Sequence, residues 1–534
     1  MTRLQLTAIS VLLALPWLMP FASGPSAAVM PWLLALACLG FVLLLTPLER
    51  PARPVLGLFI FVAGVAVLRG PHLHQSDIGT VTILGFGLCA ACLGARAARD
   101  IKLLDALAAA WLAAALVSCV IALCQYYDVA GVFTPWMNES RTPGSFANLR
   151  QRNLFATLTS IGLVALAWFA GRGPLRRHVW WMLLLLALGN VSSASRTGMT
   201  QWLVLPVLAL LWRSRLNVTS RRVLLWAPIP AYLAAFALLA VSGSGQLTAF
   251  SRMTQELQAC VSRRTLWSNL IDLIADKPWL GWGWRELAWA HHMGNFTQRF
   301  CDIPDNAHNL ALHFAVELGI PLAVIICAWL LWLPLRARFW RESDPQRQMA
   351  FAILAILLVH SMTEYPLWYA PFQFAFGAAL GLLWPARAST NNTPAHPWPK
   401  PAQAFFALLL LAATGYANWD YHRVSQIYLA PNQRDPEYRD DTLTKIQTSV
   451  LFAAHAKFAE LMILPVTPGS AAHVHALATD LIHFSPEPRV IERLIESAEL
   501  LGLKNEAQRY ATQYASVYPD EYKNWRGASA ANSR

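Results

Sequence analysis

The chain has 534 residues, of which 56% are hydrophobic and only 13% are charged. This composition excludes a soluble globular protein, and the recurring apolar runs of about 15 to 25 residues indicate membrane spans. The net charge of +12 would suit a nucleic-acid partner, but the positive residues follow the pattern of membrane topology, so no nucleic-acid partner is expected.

Apolar runs that can cross a bilayer as a helix recur from the N-terminus to about residue 418. We predict thirteen spans, at 5–22, 28–46, 55–69, 79–95, 104–125, 154–170, 179–195, 198–212, 223–242, 308–334, 348–366, 370–385 and 403–418. The third is short and the seventh and eighth almost touch, so this count carries an error of about one. The first run could be a signal peptide, but the second follows so closely that an uncleaved helix is favoured.

Lysine and arginine are concentrated in every second connection between the predicted spans. These groups are Arg50 and Arg53; Arg96, Arg99 and Lys102; Arg172, Arg176 and Arg177; Arg213, Arg215, Arg221 and Arg222; and Arg336, Arg338, Arg341 and Arg347. The short alternate connections at 23–27 and 71–78 contain neither residue. Because positive loops stay in the cytoplasm, we expect a cytoplasmic N-terminus, an exported C-terminus, and exported loops at 126–153 and 243–307.

The chain divides into four parts by composition. We predict a membrane body at 1–385 that includes the large exported loop 243–307, a cytoplasmic linker at 386–402, a last span at 403–418 and an exported helical domain at 419–534. Amphipathic helices are expected in that domain at 438–462, 470–483, 487–502 and 505–518. The last two resemble one tetratricopeptide-like unit, although stable arrays usually need three or more units. The domain is either a cap on the membrane body or a docking surface for a protein acceptor.

Six of the eight cysteines lie in or beside predicted spans, where cysteine behaves as a small hydrophobic residue. The other two, Cys260 and Cys301, share one aqueous loop on the side that we expect to be oxidising. A disulfide between them is a hypothesis that the sequence leaves open.

Polar and charged residues at the exported ends of spans are costly and need an explanation. One group, 144–153, contains Arg150, Gln151, Arg152 and Asn153 before the sixth span. Arginine binds phosphate through two hydrogen bonds, and Asn153 is placed to cap the helix that follows. The alternative is that the arginines only anchor the span at the lipid headgroups.

Two further groups carry arginines on the same side. Arg196 lies in the tight connection 192–198, where it either binds a ligand or has a structural role. Arg263 and Arg264 begin a predicted amphipathic helix in the long loop, before the Trp- and Gly-rich segment 277–284. Tryptophan favours the membrane interface, which explains those rings, but it does not explain the paired arginines.

The fourth group surrounds His308, which opens the tenth predicted span within the sequence Asp-Asn-Ala-His-Asn. His313 and Glu317 share one helical face, as do His360 and Glu364, and we expect Glu317 to pair with His313. A neutral histidine accepts a proton near pH 7. The alternative is that His308 is an interfacial residue that caps the helix.

Several kinds of site are disfavoured by the sequence. It contains no glycine-rich phosphate loop, which argues against a nucleotide-driven pump. It has neither a convincing metal-ligand spacing nor a paired-aspartate motif, so neither a metal site nor a cofactor is expected.

Six motifs together resemble the O-antigen ligase/polymerase superfamily, and within it the bacterial O-linked protein oligosaccharyltransferases. They are Asn148-x-x-Gln151-Arg152-Asn153, Ser195-Arg196-Thr-Gly, Arg264-x-Leu-Trp267, Pro278-Trp-Leu-Gly-Trp-Gly-Trp284, Asn306-Ala-His308-Asn309 and His360-Ser-x-x-Glu364-Tyr365-Pro-Leu. The resemblance covers spans six to thirteen well and the first five spans by topology only.

The resemblance implies an all-α polytopic membrane fold of the lipid-linked sugar transferase type and an inverting, metal-independent glycosyltransferase. It implies that His308 is the catalytic histidine. It also implies phosphate-binding arginines at Arg152, Arg196 and Arg264, with Arg263 as the alternative to Arg264. Gln151, Asn153, Glu364 and Tyr365 would complete the substrate site.

The expected reaction moves a preassembled oligosaccharide from undecaprenyl pyrophosphate to a Ser or Thr of an exported protein such as a pilin, at the bacterial inner membrane. An O-antigen ligase that acts on lipid A-core, and an O-antigen polymerase, remain alternatives. The exported tail favours a protein acceptor. A transporter would usually show internal repeats or helices broken at mid-membrane, which the sequence does not indicate.

Overall fold

The computed structural model describes residues 1–70, 76–140, 144–173, 175, 177–241, 259–386 and 398–532. Within them the chain is helical, with one isolated bridge between Pro51 and Pro385. The all-α prediction is therefore confirmed. Most of the predicted linker, at 387–397, and the start of the predicted large loop, at 242–258, lie outside the described residues.

Seventeen α-helices precede the C-terminal tail or lead into it. They are α1 (Arg3–Ala14), α2 (Val29–Leu45), α3 (Arg53–Arg69), α4 (Ser76–Ala97), α5 (Ile101–Tyr126), α6 (Arg152–Arg172), α7 (Val179–Ser192), α8 (Arg196–Leu211), α9 (Val218–Arg221), α10 (Pro228–Val241), α11 (Arg263–Asp276), α12 (Leu287–Met293), α13 (Leu310–Leu318), α14 (Ile320–Arg336), α15 (Pro345–Ser361), α16 (Ala370–Leu383) and α17 (Lys400–Ser425).

The tail adds six more helices among the described residues. They are α18 (Thr442–Ile446), α19 (Ala453–Ile463), α20 (Ala471–Phe484), α21 (Pro488–Leu500), α22 (Lys504–Val517) and α23 (Pro519–Asn532). Short 3₁₀ turns lie at Leu15–Trp17, Ala130–Phe133, Ala259–Val261, Phe339–Arg341, Pro366–Trp368, Gln426–Tyr428, Pro431–Gln433 and Pro436–Tyr438, and a π turn lies at Arg222–Trp226.

Each of the thirteen predicted spans contains one or two of these helices. By length and composition, four helices of the described residues can cross a membrane, or five if one bent pair is counted as a span. The four are Ile78–Ala97, Ile101–Tyr126, Arg152–Arg172 and Ile320–Arg341, and the bent pair is Val218–Trp226 with Pro228–Val241. The chain is a multi-pass membrane protein, and the count of thirteen stays a prediction.

The tenth predicted span, 308–334, is not one helix. It is divided at Gly319, which has a φ of +85° and separates α13 from α14. The break is held by the loop segment beside it, because Trp282 N donates to Val316 O at 2.8 Å and Ile320 N donates to Pro278 O at 2.8 Å. A side chain at Gly319 would collide with the backbone of this loop, so the close approach requires glycine.

Helices α4 and α16 pack with their backbones in direct contact. A Cβ atom at Gly381 would collide with the Ala91 carbonyl, and one at Gly94 would collide with the Ala378 carbonyl. Small residues allow this approach between membrane helices, where packing rather than hydrophobic burial holds helices together. The contact fixes α16, and with it the turn before α16 that carries Glu364.

The tail is attached to the rest of the chain at its start and near its middle. At its start, Tyr421 donates a hydrogen bond from its hydroxyl to the Ser26 carbonyl at 2.8 Å. In its third helix, His483 Nδ1 lies 2.7 Å from Glu286 Oε2 in the long loop, and the His483 ring lies 4.5 Å from that of Trp289. The tail therefore packs on the loop that contributes to the site described below.

The helix predicted at 438–462 is wrong in part, because the segment forms two helices, α18 and α19, with a turn between them. The buried Asp420 carboxylate holds this turn, since its Oδ2 accepts hydrogen bonds from Ser449 Oγ at 2.9 Å and from Leu451 N at 3.1 Å. These bonds compete with a continuous helix. The other three tail helices lie within about two residues of their predicted positions.

A Gly381→Ala substitution should lower the free energy of unfolding by about 1–3 kcal/mol, because the added methyl group must separate two helix backbones. Thermal unfolding of the full chain in detergent measures this effect. Gly415→Ala is the matched control, because a Cβ there has no neighbour within 4 Å. Equal unfolding temperatures for the two variants would contradict the packing argument.

Candidate functional site

Three helices begin at one cavity of about 370 Å³, and each of them begins with an arginine. Arg152 is the first residue of α6, Arg196 of α8 and Arg263 of α11. The cavity has the volume of a small-molecule site. Three of the arginines singled out in the sequence, which come from distant parts of the chain, therefore line one space.

The N-cap residues fix where each of these helices starts. Gln151 accepts a hydrogen bond from Leu154 N, Ser195 from Gly198 N and Ser262 from Thr265 N, at 2.8, 3.0 and 3.2 Å. Asn153, predicted as the cap of α6, is instead the second residue of that helix. Its side chain is thereby free to reach across the cavity.

An arginine at the first position of a helix is electrostatically unfavourable, because the N-terminal end of the helix dipole is itself positive. Here three such ends and three guanidinium groups surround one space. Helix N-termini and arginines are the two commonest protein elements that bind phosphate. The arrangement is therefore suited to an anion with several charges.

Glu364 supplies negative charge to this cavity. Its side chain is only 4% exposed; its Oε1 forms an ion pair with Arg263 and accepts a hydrogen bond from Asn153 Nδ2 at 2.8 Å. The charge of Arg263 and the hydrogen bonds that the carboxylate accepts both favour its ionised form.

His308 contacts the other oxygen of this carboxylate, with its Nδ1 2.7 Å from Glu364 Oε2. An ionised carboxylate can only accept hydrogen bonds, so Nδ1 carries the proton. In the neutral ring, Nε2 then has the lone pair that can accept a proton. The ring also packs edge-on against Tyr365, with centroids 5.2 Å apart.

The helix-cap alternative for His308 is wrong. Asn309 is the N-cap of α13, because its side chain accepts a hydrogen bond from Leu312 N at 3.1 Å. His308 lies one residue outside the helix, and its backbone N–H donates to Asn306 Oδ1 at 3.0 Å. The histidine is thus held at a turn and is not a part of the helix end.

Left-handed backbone recurs around the cavity. Arg150, Ala194 and His308 have φ values of 58°, 51° and 49°, and each comes directly before the N-cap residue of a helix. A residue with a side chain in this region costs about 1 kcal/mol or more and tends to occur at functional sites. Strained residues therefore lie just before α6 and α8, which begin at the cavity, and before α13, which begins next to His308.

Two other predicted arginines lie elsewhere. Arg264 is exposed and does not line the cavity, whereas Arg263 does, so the structure favours Arg263 of the pair. Arg150 donates a hydrogen bond to the Pro20 carbonyl and so joins the connection before α6 to the segment that follows α1.

Of the two His–Glu pairs that helical spacing suggested within the membrane, one forms a side-chain contact and the other does not. His313 Nε2 lies 3.4 Å from Glu317 Oε2, as expected. His360 does not pair with Glu364 through its side chain; its Nδ1 lies 2.8 Å from Thr157 Oγ1. Glu364 has turned toward His308 because it follows the end of α15, where helical spacing no longer applies.

Cys260 and Cys301 form a disulfide. Cys260 lies just before α11, which begins with Arg263, and Cys301 lies a few residues before His308. The Trp267 indole strengthens the same connection by donating a hydrogen bond to the Ala307 carbonyl at 3.0 Å. The disulfide and this tryptophan therefore hold Arg263 and His308 in one unit.

Several lining residues carry no recognisable sequence signal. Thr197, Thr200 and Thr363 line the cavity, and Thr197 Oγ1 lies 3.2 Å from Thr363 Oγ1. Threonines are frequent at helix ends in any protein. Thr197 and Thr200 could therefore have been found only from their position just after Arg196, at the start of a helix. Thr363 could have been noticed only from its position next to Glu364.

Three family profiles match separate parts of the chain. A profile described as "Protein glycosylation ligase" matches 146–170, one described as "O-Antigen ligase" matches 181–327, and one described as "Virulence factor membrane-bound polymerase, C-terminal" matches 348–532. Together these ranges include every residue of the cavity.

Two curated proteins of Acinetobacter baylyi are similar to the chain. The "General O-oligosaccharyltransferase" is 25% identical over 466 residues, which cover 81% of this chain and 79% of that protein. The "ComP-specific O-oligosaccharyltransferase" is 25% identical over 283 residues, which cover 52% of this chain and 49% of that protein.

Replacing both disulfide cysteines (Cys260→Ser with Cys301→Ser) should lower the free energy of unfolding of the loop by about 4 kcal/mol, because the bond joins residues 41 positions apart and so restricts the unfolded chain. Protease sensitivity of the loop, followed with and without reductant, measures the effect. Reductant should sensitise the wild type and a Cys327→Ser control but should not change the double variant. A reductant-insensitive wild-type loop would argue against the disulfide.

Proposed function

We propose that this chain, which belongs to the O-antigen ligase superfamily, transfers a preassembled oligosaccharide from undecaprenyl pyrophosphate to a Ser or Thr hydroxyl of an exported protein such as a pilin. One observation carries the proposal: the His308–Glu364 pair lies at the edge of a cavity on which three arginine-bearing helix ends converge. The names of the two Acinetobacter relatives support O-linked oligosaccharide transfer.

The arginine cavity would hold the pyrophosphate of the donor. When the bond between the sugar C1 and the phosphate oxygen breaks, negative charge accumulates on the departing pyrophosphate. Arg152, Arg196 and the helix N-termini stabilise that charge in a fixed geometry. Guanidinium groups stay protonated at any working pH, so this step can proceed without a metal ion.

His308 would act on the acceptor. The hydroxyl oxygen attacks C1 from the face opposite the pyrophosphate, which inverts the configuration, and its proton moves to His308 Nε2. The imidazolium that forms is stabilised by Glu364, which already contacts Nδ1 at 2.7 Å. Glu364 therefore positions the ring and offsets its charge, while Tyr365 packs against it.

The orientation follows the charge pattern of the connections. We propose that the chain lies in the bacterial inner membrane with a cytoplasmic N-terminus, and that the cavity, the long loop and the tail face the periplasm. A lipid-linked donor that has been flipped outward would then enter the cavity from the membrane.

A second candidate is extension of a glycan on its lipid carrier, because the profile that matches the tail describes a membrane-bound polymerase. Ligation to lipid A-core is the third outcome that an experiment must distinguish. All three reactions use the same donor and differ in the acceptor.

Co-expression of the chain with a lipid-linked glycan pathway and a pilin tests the proposal. Intact-mass analysis should show the mass of the glycan on the pilin with the wild type. With His308→Ala, transfer should fall by about a hundredfold or more, because the general base is lost, while the amount of inserted protein stays the same. Glycan on lipid A-core, or longer glycan on the carrier, would assign the chain to the ligase or the polymerase reaction instead.

Adjacent arginines provide a matched pair of variants. Arg263→Ala should reduce transfer by about a hundredfold, because it removes a charge that lines the cavity and holds Glu364. Arg264→Ala should keep nearly the wild-type rate, because that side chain is exposed and lies outside the cavity. Initial rates at saturating donor measure the difference, and similar losses in both variants would contradict the placement.

A further inference from the structure

A second cavity, of about 360 Å³, lies between the membrane body, the long loop and the tail. Its apolar wall comes from helices α3, α4, α14 and α16. Trp284 and Arg285 of the loop and His483 and Phe484 of the tail form the other end. The tail thus contributes directly to the wall of a cavity, in addition to packing on the loop.

This cavity leads to the reacting pair of the proposed mechanism. A narrow gap lined by His308 and Glu364 shares Leu310, His313 and Trp368 with the second cavity. Glu364 also lines the arginine cavity. The proposed base therefore lies between a cationic cavity and a mostly apolar cavity of similar volume, which is the arrangement that a reaction between two substrates requires.

The second cavity contains buried polar atoms that have no hydrogen-bond partner among the described residues. These atoms are His313 Nδ1 and Gln373 Oε1, whose residues are 4% and 5% exposed; beside them, Glu317 Oε2 has the 3.4 Å ion pair with His313 Nε2 described above. Buried polar groups are normally satisfied. A hydrocarbon chain in this cavity would leave His313 Nδ1 and Gln373 Oε1 unsatisfied, whereas a peptide offers N–H donors beside apolar side chains.

Charge separates the two cavities further. The second cavity is lined by the acidic residues Asp305 and Glu317 and by one arginine, Arg285, whereas the first is lined by three arginines and one glutamate. A phosphate group is attracted to the three arginines of the first cavity. In the second cavity Asp305 offsets the charge of the single arginine, so this cavity suits an uncharged occupant.

We infer that the second cavity binds an apolar segment of the acceptor protein beside the Ser or Thr that is glycosylated. This inference rests on the proposed function. Backbone N–H groups of the segment satisfy His313 and Gln373, its apolar side chains fill the space between α3, α4 and α14, and its hydroxyl reaches His308 through the gap. His483 and Phe484 make the tail part of the acceptor site.

Two glycines of α4 give a matched test. Gly79 lines the second cavity and Gly85 does not, and a Cβ at either position has no neighbour within 4 Å. Gly79→Leu therefore places a side chain in the cavity, while Gly85→Leu makes the same change on an exposed face. The measurement is the KM for the pilin and the KM for the lipid-linked glycan, with purified full-length chain.

Gly79→Leu should raise the KM for the pilin by about tenfold or more, since the contacts of about one buried apolar side chain are lost. The KM for the glycan donor should not change, and Gly85→Leu should match the wild type in both constants. Gln373→Leu, which keeps the side-chain volume and removes the amide, should also raise only the KM for the pilin.

A rise in the donor KM would show that the cavity holds the polyprenyl chain, and unchanged constants would show that it holds neither substrate. Either result overturns the inference and leaves the proposed function intact. A wild type that glycosylates no protein overturns both, and this is seen before any variant is compared.

Discussion

The site depends on an electrostatic conflict that the fold maintains. Arg152, Arg196 and Arg263 each lie at the positive end of a helix dipole, and they face one another across a single cavity. Repulsion among these groups would drive the helix ends apart. Glu364 opposes it from within, by holding Arg263 and Asn153 on one carboxylate oxygen and His308 on the other. The net positive charge of the lining suits the pyrophosphate that we propose binds here.

Much of the surrounding structure serves to hold these helix ends together. The glycine contacts between α4 and α16 position the turn that carries Glu364. Ser195 Oγ donates to Asn153 Oδ1 at 2.6 Å and so connects the start of α8 to that of α6. The break at Gly319 lets the long loop pack against the C-terminal end of α13, the helix that follows His308. Each of these contacts helps to keep like charges close together. The repulsion between the charges is offset by the packing and the hydrogen bonds.

The sequence was sufficient to predict those parts of the fold that depend on composition and on the spacing of apolar residues. Apolar runs predicted where the helices lie, and the amphipathic pattern predicted three of the tail helices closely. Residue types and motifs together indicated His308, Arg152 and Arg196 as site residues. Arg152 and Arg196 line the cavity, and His308 lies at its edge. Cys260 and Cys301 lie in one aqueous loop, which suggested a disulfide as a hypothesis, and the structure contains that disulfide.

What the sequence could not provide depends on three-dimensional contacts between distant segments. Nothing local distinguishes Arg263 from Arg264, because only the direction of α11 decides which of them faces Glu364. The left-handed residues Arg150, Ala194 and His308 have no turn signature, since none is glycine or asparagine. The Glu364–His308 contact joins two turns that are 56 residues apart in the chain, and helical spacing had suggested His360 as the neighbour instead.

The disulfide has a consequence for the order of events in the life of the protein. Thiols stay reduced in the cytoplasm and are oxidised outside it, so in the orientation that we propose the bond between Cys260 and Cys301 forms only after the loop has crossed the membrane. Arg263 follows the first of these cysteines by three residues, and His308 follows the second by seven. A newly made protein would therefore acquire its complete site only as a late step of maturation, on the side of the membrane where both substrates are proposed to meet it.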